Sequence, residues 1–543
     1  MHRLRGRADL PDASRVARMT AVGEALIRLL EAHGVDTVFG IPGVHTIELY
    51  RGLAASRIRH VTPRHEQGAA FMADGYARAG GRPGVAFVIT GPGLTNAITA
   101  MAQARADSVP MLVVSGVNRR DTLGRGLGYL HELPDQRGMM ATVALRSIRV
   151  EEPADLAPAL AEAFRIFAAK RPGPVHIEVP LDVMPLEAVA DVGTMKEVAK
   201  PSPSPTDIDR LAGMARAAQR PLILAGGGAS RAEAPLRVVA ERLDAPVVTT
   251  ANARGLLHRH PLGVHASPSL KAVRALMAES DFVLAVGTEF GPTDYDMYAD
   301  GGFILPGNLA RIDIDAAQLD RHKASLAIRA DAALALQALA AALPESGQRP
   351  DGAARAATAT SAALDEIGPE MRGQIGWVET IRDTLPGALI VGDSTQPVYA
   401  ANLVYDHDRP GGWFNAATGY GALGYGPPAA IGAALAVPDA PVVCLTGDGG
   451  FQFTMPELGA AIDAGAPVIF VVWNNRGYRE IETSMRSAGV EPVGVSPEPP
   501  DFVRLAEAYG MPAERVGTRD GLAAALLRAR ASGRPCLIDI TVD

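Results

Sequence analysis

Short apolar runs that end in glycine or a small polar residue alternate along this chain with segments whose apolar positions recur every three to four residues. The first kind predicts buried β-strands and the second amphipathic helices. Thr20 reads as the N-cap of a helix over Ala21 to His33, with Val22, Ala25, Leu26, Leu29 and Leu30 on one face and Gly34 as its stop. Val35–Phe39, Ile58–Thr62, Gly84–Thr90, Pro110–Ser115 and Pro174–Pro180 read as strands. The alternation resumes with Pro221–Ala225, Pro246–Thr250, Asp281–Val286 and a final strand over Arg311–Asp315. It begins a third time with Ala388–Val391, Val442–Thr446, Pro467–Trp473 and Pro535–Thr541. Strands that alternate with helices form doubly wound parallel sheets, which hold ligands at the strands' carboxyl ends. The predicted fold class is therefore α/β, with three such domains in series.

Breaks in the pattern set the boundaries. Residues 1–18, punctuated by arginine, read as a disordered tail, followed by a first domain over 19–185. A Pro- and Ser-rich linker over 186–205 leads to a central domain over 206–340. An Ala-, Gly- and Pro-rich, partly helical linker over 341–374 leads to a last domain over 375–543. The 543 residues exceed what one core can organise, and 48% hydrophobic with 21% charged residues is ordinary for a soluble protein. A net charge of −8 argues against a nucleic-acid partner. No run approaches the roughly 18 apolar residues of a membrane span. Cys444 and Cys536 lie far apart in apolar runs, which fits neither a disulfide framework nor a cysteine metal site, and the expected compartment is the cytoplasm.

The chemistry concentrates at strand ends. Asp448, in Gly447-Asp448-Gly449-Gly450, and Asn475 place hard oxygen donors at the tips of two neighbouring predicted strands, where the glycines let backbone N–H groups approach an anion. A divalent cation with a diphosphate would fit there. Glu66, in Arg64-His65-Glu66-Gln67-Gly68, opens a helix rich in small residues; the helix dipole alone would also explain an acid at that place. Gln136 sits in a polar stretch that either faces solvent or lines a pocket. Gly226-Gly227-Gly228 lacks the dinucleotide-binding spacing. Glu289, Asp294 and Asp296 read as a solvated acidic loop without basic neighbours.

Gly447-Asp448-Gly449, 24 intervening residues and Asn474-Asn475 resemble the signature of the thiamine diphosphate enzymes. Arg64–Gly68 with Ala73–Arg78 resembles the motif on their pyrimidine side. The likeness runs from Met19 in the order pyrimidine, central and diphosphate domain, and is strongest to the acetolactate synthase and pyruvate oxidase branch. It implies that Asp448, Asn475 and the Gly477 carbonyl bind Mg²⁺, and that Gly449 and Gly450 cradle the diphosphate of thiamine diphosphate. It further implies that Leu423 props the cofactor, that the Gly421 carbonyl accepts from its amino group, and that Glu66 hydrogen-bonds the pyrimidine. In such enzymes the two halves of a site come from different subunits, so a homodimer or homotetramer is expected.

After the asparagines the chain lacks the Trp of acetolactate synthases and has Arg476-Gly477-Tyr478-Arg479-Glu480-Ile481-Glu482. With Gly40–His45, Leu130–Glu132, Asp135–Arg137 and Thr293–Asp296, this resembles the decarboxylases that convert 5-guanidino-2-oxopentanoate to 4-guanidinobutanal and CO2 in arginine catabolism. Glu480, or else Glu482, is the candidate partner for a guanidinium, because a carboxylate binds it through two parallel hydrogen bonds; the alternative is that both pair with Arg479 or Arg486. His131 is the candidate proton donor, with Gln136 beside it. The other readings are an acetolactate synthase-like carboligase, an oxidase with FAD in the central domain, and a non-catalytic binding subunit.

Overall fold

The computed structural model describes residues 18–190, 198–297, 299–345 and 351–542. Three six-stranded sheets, all parallel, form the three expected domains. In the first, the spatial order is Arg59–Val61, Thr37–Gly40, Gly84–Val88, Met111–Val117, Pro174–Pro180, Arg146–Arg149. In the third it is Trp413–Asn415, Leu389–Gly392, Val442–Gly447, Val468–Asn474, Cys536–Thr541, Ala513–Val516. Numbered within each domain, both read 2-1-3-4-6-5, so these two domains share one topology. The central sheet reads 3-2-1-4-5-6, the order of dinucleotide-binding folds. In every sheet the order reverses beside the domain's first strand, and the crevice at that point opens at the carboxyl ends.

The first and third domains pack into one core. Helix Glu66–Gly80 lies along helix Gly426–Ala436, and both are rich in alanine and glycine. A side chain at Gly75 would overlap the Ala429 carbonyl, and one at Gly432 would overlap the Met72 carbonyl. The two backbones therefore touch, which explains the small residues of the Ala73–Arg78 stretch. At the edge of this contact Asp107 joins all three domains: it accepts from Arg78 (2.7 Å) and Gln103 (2.6 Å) in the first, Asn252 (3.1 Å) in the central and Thr418 (2.9 Å) in the third.

Several sequence expectations change. Thr20 is no N-cap: Arg18–Ala21 is a strand paired antiparallel with Glu187–Ala190, and the helix begins at Val22. Of the predicted tail, Arg18 belongs to this strand and residues 1–17 lie outside the described residues, while Glu187–Ala190 of the 186–205 linker is its partner strand. Most of the linker over 341–374 is the helix Gly352–Thr384, broken at Gly368 before Pro369, which buries Ala356, Ala359 and Ala363. Arg311–Asp315 is not the last central strand, since Leu326–Arg329 extends the sheet beyond Leu309–Asp313. Nor is the acidic loop a solvated one. Glu289 pairs with Arg171 (2.8 Å) and Arg321 (3.4 Å), Asp296 pairs with Arg274 (3.1 Å), and Asp294 is half-buried beside Arg254, its carboxyl pushed up to about 6 by desolvation. Gly226 and Gly228 pack directly on Gly287, so these glycines serve a backbone contact across the central switch point.

Candidate cofactor and substrate site

Strand Val442–Gly447 ends at the crevice of the third sheet and delivers Asp448 with its side chain buried. The adjacent strand Val468–Asn474 delivers Asn475. Asp448 Oδ2 accepts from the Gly477 N–H at 2.9 Å. Asn475 Oδ1 stands 3.1 Å from Asp448 Oδ1 and 2.8 Å from the Gly477 carbonyl oxygen, three oxygens with no hydrogen between them. Turning the Asn475 amide over would supply hydrogens, but Gln396 opposes it. Gln396 Oε1 faces the indole Nε1 of Trp473 at 3.4 Å, a group that can only donate, and so it also accepts from Asn475 Nδ2 at 2.9 Å.

Oxygens about 3 Å apart match neighbouring corners of a Mg²⁺ octahedron, whose metal–oxygen bonds are about 2.1 Å. The Asp448 carboxyl is raised above its usual range by burial, against the N–H groups of Gly477, Asp448, Gly449 and Asn475, and a cation would reverse that shift. The donor set therefore fits Mg²⁺. Gly477 has φ +149°, and a side chain there would strike the Val495 carbonyl at 2.5 Å. At Gly449 the Tyr478 ring occupies the place of a side chain, and Asp393 lies 3.4 Å from that place at Gly450. Asp393, at the end of the neighbouring strand Leu389–Gly392, is buried and accepts from Ser394 N (2.8 Å) and Gly426 N (3.1 Å); burial pushes its carboxyl up to about 6. Gly421 is exposed with φ +77°, and Leu423 is half-buried on the same turn.

The first domain holds a second cluster at the equivalent crevice. Glu66 is the first residue of its helix, and its Oε2 accepts from Asn96 Nδ2 at 2.9 Å. Its Oε1 lies beside Gly93, 3.3 Å from where a side chain would begin. Gly91, on the same turn, abuts His131, which has φ +62°. The His131 ring meets the His45 ring edge-on at 5.1 Å, and Nδ1 of each is buried without a hydrogen-bond partner. Burial and the neighbouring His131 both lower the pKa of His45. Glu132 shapes the loop that carries His131 by accepting from the N–H groups of Leu127, Gly128 and Tyr129 (3.2, 2.7 and 3.0 Å).

Gln136 takes the second of the two places the sequence left open for it and lines a pocket. It is buried, its Oε1 accepts from Gly91 N (3.1 Å), and its Nε2 donates to Gly116 O (3.0 Å) and Glu178 Oε2 (2.9 Å). With its amide engaged, Gln136 braces the Gly91 turn. A cavity of about 190 Å³ lies under this loop, lined by Thr90, Asn118, Glu132, Gln136, Arg137 and Arg149 among others.

The two acids past Asn475 also separate. Glu482 is held by Arg479 at 2.6 Å and Arg486 at 2.8 Å. Glu480 is exposed on the same helix, Arg479–Ser487, makes neither hydrogen bond nor ion pair among the described residues, and acts electrostatically on the Tyr399 phenol. Within the chain no hydrogen bond or ion pair among the described residues joins Glu66 to the Asp448–Asn475 oxygens, so the predicted residues form two separate clusters. Sequence reading missed Asn96, Gln396 and Asp393, and carried His45 only as part of a motif.

Three family models match in this order: the N-terminal TPP binding domain of thiamine pyrophosphate enzymes over residues 20–139, their central domain over 208–339 and their C-terminal TPP binding domain over 393–540. The chain is 44% identical to a protein of Pseudomonas aeruginosa described as a probable 2-ketoarginine decarboxylase, AruI, over 90% of this chain and 88% of that one. It is 33% identical to the acetolactate synthase large subunit of Parasynechococcus marenigrum, over 95% and 87% of the two chains. Against the acetolactate synthase isozyme 3 large subunit of Escherichia coli the identity is 32%, over 97% and 95%. With all three domain models matched in order along this fold, the chain belongs to the thiamine pyrophosphate enzymes, in the branch that includes the acetolactate synthases.

Proposed function

We propose that the protein decarboxylates 5-guanidino-2-oxopentanoate without oxidation, releasing 4-guanidinobutanal and CO2 in arginine catabolism, with thiamine diphosphate and Mg²⁺. The observation that carries the substrate is Glu480: an exposed, unpaired carboxylate five residues past Asn475, beside Tyr399, while its neighbour Glu482 is taken by two arginines. A guanidinium would give Glu480 the two-pronged partner it lacks, and a neutral keto acid would not. The similarity to a protein described as a 2-ketoarginine decarboxylase supports the same substrate.

Asp448, Asn475 and the Gly477 carbonyl would hold Mg²⁺, Gly449 and Gly450 would receive the diphosphate, and Gly421 and Leu423 would seat the rings. When bound, thiamine diphosphate supplies an electron-accepting thiazolium that lets CO2 leave. Glu66 moves a proton at Oε1, the oxygen left free when Asn96 holds Oε2. His131 donates the proton that completes the aldehyde. Its edge contact with His45 orients the ring, and Nδ1, which makes no hydrogen bond, is left free to carry the acid's proton. Two half-sites in one chain fit a homodimer, or a dimer of dimers, in which Glu66 of one subunit meets the oxygens of the other. Among the described residues no helix is long and apolar enough to cross a membrane; the compartment proposed is the cytoplasm.

The test is a comparison of rates on 5-guanidino-2-oxopentanoate, pyruvate, benzoylformate and branched 2-keto acids with both cofactors added. The guanidino acid is expected to be fastest by at least tenfold, and a faster neutral acid would refute the substrate. The similarity to acetolactate synthases favours carboligation as the second reading. Pyruvate alone would then yield a product that becomes acetoin after acidification.

A further inference from the structure

We propose that Glu457, in the third domain, is the positioning residue for Glu66 in the first. The inference rests on the reading of Glu66 as the proton-moving group.

Glu457 is buried at the start of helix Glu457–Asp463, in the segment that follows the Asp448 turn. Its carboxylate crosses the domain boundary. Arg64 N donates to both of its oxygens at 3.0 Å, and His65 N donates to Oε1 at 3.1 Å. The same helix grips the segment a second time where Arg64 Nη2 meets Asp463 at 2.5 Å, and Gly459 leaves room for that guanidinium. Gly68, the last residue of the Arg64–Gly68 motif, is the reciprocal accommodation. A side chain there would overlap Glu457 Oε1, so the motif's glycine makes room for the carboxylate.

Ordinary helix capping does not account for this contact. The helix that begins at Glu66 already has its own cap, since the His65 side chain accepts from Gln67 N at 3.1 Å. Glu457 binds the two N–H groups that precede the helix, on Arg64 and His65. These set the direction in which the chain enters and hence where the Glu66 side chain leaves the backbone. A buried carboxyl is costly to keep, and burial pushes this one up to about 7 against the Arg64 and His65 N–H groups. An apolar residue would avoid that cost but leave the Arg64 and His65 N–H groups without this acceptor. Asn96 fixes the far end of the Glu66 side chain, and Glu457 fixes its root.

The experiment compares full-length wild type, Glu457→Gln, Glu457→Ala and Glu66→Gln. Three quantities are read: amide hydrogen exchange of Arg64–Gly68 in the cofactor-free protein, thiamine diphosphate affinity with Mg²⁺, and the exchange rate of the thiazolium C2 proton in the bound cofactor by quenched NMR. Glu457→Ala is expected to speed amide exchange at Arg64 and His65, leave the affinity within about threefold, and slow C2 exchange at least tenfold. Glu457→Gln, which keeps one acceptor and the shape, is expected to recover part of that rate and still reports if the alanine variant does not fold. Slowed C2 exchange in Glu66→Gln together with a wild-type rate in both Glu457 variants overturns this proposal alone. An unchanged rate in Glu66→Gln overturns the reading of Glu66, and this proposal with it.

Discussion

Asn475 Oδ1 faces Asp448 Oδ1 at 3.1 Å because Gln396 holds the other end of the Asn475 amide. Two oxygens so placed repel, and a cation between them would turn the pair into ligands. Asp448→Asn should weaken Mg²⁺-dependent thiamine diphosphate binding by roughly 10–150-fold, the worth of about 1.5–3 kcal/mol for a hydrogen bond or ligand contact to a charged group. Gln396→Leu frees the amide to turn over and should weaken binding less. Both are measured by titration calorimetry of the cofactor in excess Mg²⁺. Dialysis against EDTA should abolish activity, and added Mg²⁺ should restore it; activity that survives chelation would remove the metal from the reading.

Glu66→Gln is expected to lower the turnover rate by about 10²–10⁴-fold, the usual range for a lost acid–base group, with cofactor affinity nearly kept. Asn96→Ala should cost less, because it frees the Glu66 carboxylate without removing it. Single-turnover rates with saturating cofactor separate the two, and equal losses would make Asn96 more than a tether.

What was legible in the sequence was whatever carries its chemistry at a fixed local spacing. Asp448 and Asn475 end adjacent strands of one βαβ unit, and hard oxygens at strand tips have few other uses. The α/β class was legible for the same reason, since apolar runs separated by helical periodicity repeat three times. Groups that act across the fold were not. Asn96 reaches Glu66 over 30 positions, Gln396 reaches Asn475 over 79, and Glu457 reaches Arg64 over 393. Nothing in the local pattern marks them, because a lone Asn, Gln or Glu on a helix is most often a surface residue. The acidic loop misled in the opposite sense. Glu289 has no basic neighbour in sequence, but folding brings it Arg171 from 118 positions away.

Glu480→Gln should slow the guanidino substrate relative to pyruvate by a factor equivalent to about 1–3 kcal/mol. Glu482→Gln should change that ratio little, because its partners Arg479 and Arg486 form surface pairs worth at most about 1 kcal/mol. The measurement is kcat/KM on both keto acids for each variant. If Glu480→Gln slows both substrates alike, the residue serves the protein or the shared chemistry and does not read the side chain.

His131→Ala should leave keto-acid consumption measurable in a dye-coupled assay while slowing aldehyde release. Gln136→Leu should instead slow both steps together, because its amide holds the Gly91 turn on which Glu66 and His131 both rest. Equal slowing of both steps by His131→Ala would reject it as the donor.

Glu457 also predicts a pH dependence of stability whose sign follows from linkage. Its carboxyl is pushed from the ordinary 4.5 up to about 7, burial outweighing the Arg64 and His65 N–H groups and the Arg64 charge. Between those values the folded protein binds more protons than the unfolded chain. Stability on this account therefore falls as pH rises from about 4.5 to about 7 and is level on either side, by roughly 3 kcal/mol in all. His176, His265 and His407, whose pKa values burial lowers to about 3, 4 and 4, act the other way over part of the same window, since each must charge when the chain unfolds in acid. The wild-type curve mixes both signs, and the difference between wild type and Glu457→Gln isolates one. Unfolding midpoints measured every half unit from pH 4 to pH 8 should show Glu457→Gln gaining on wild type as pH rises. A difference that stays level would mean that Glu457 remains ionised throughout, held so by the N–H groups it grips.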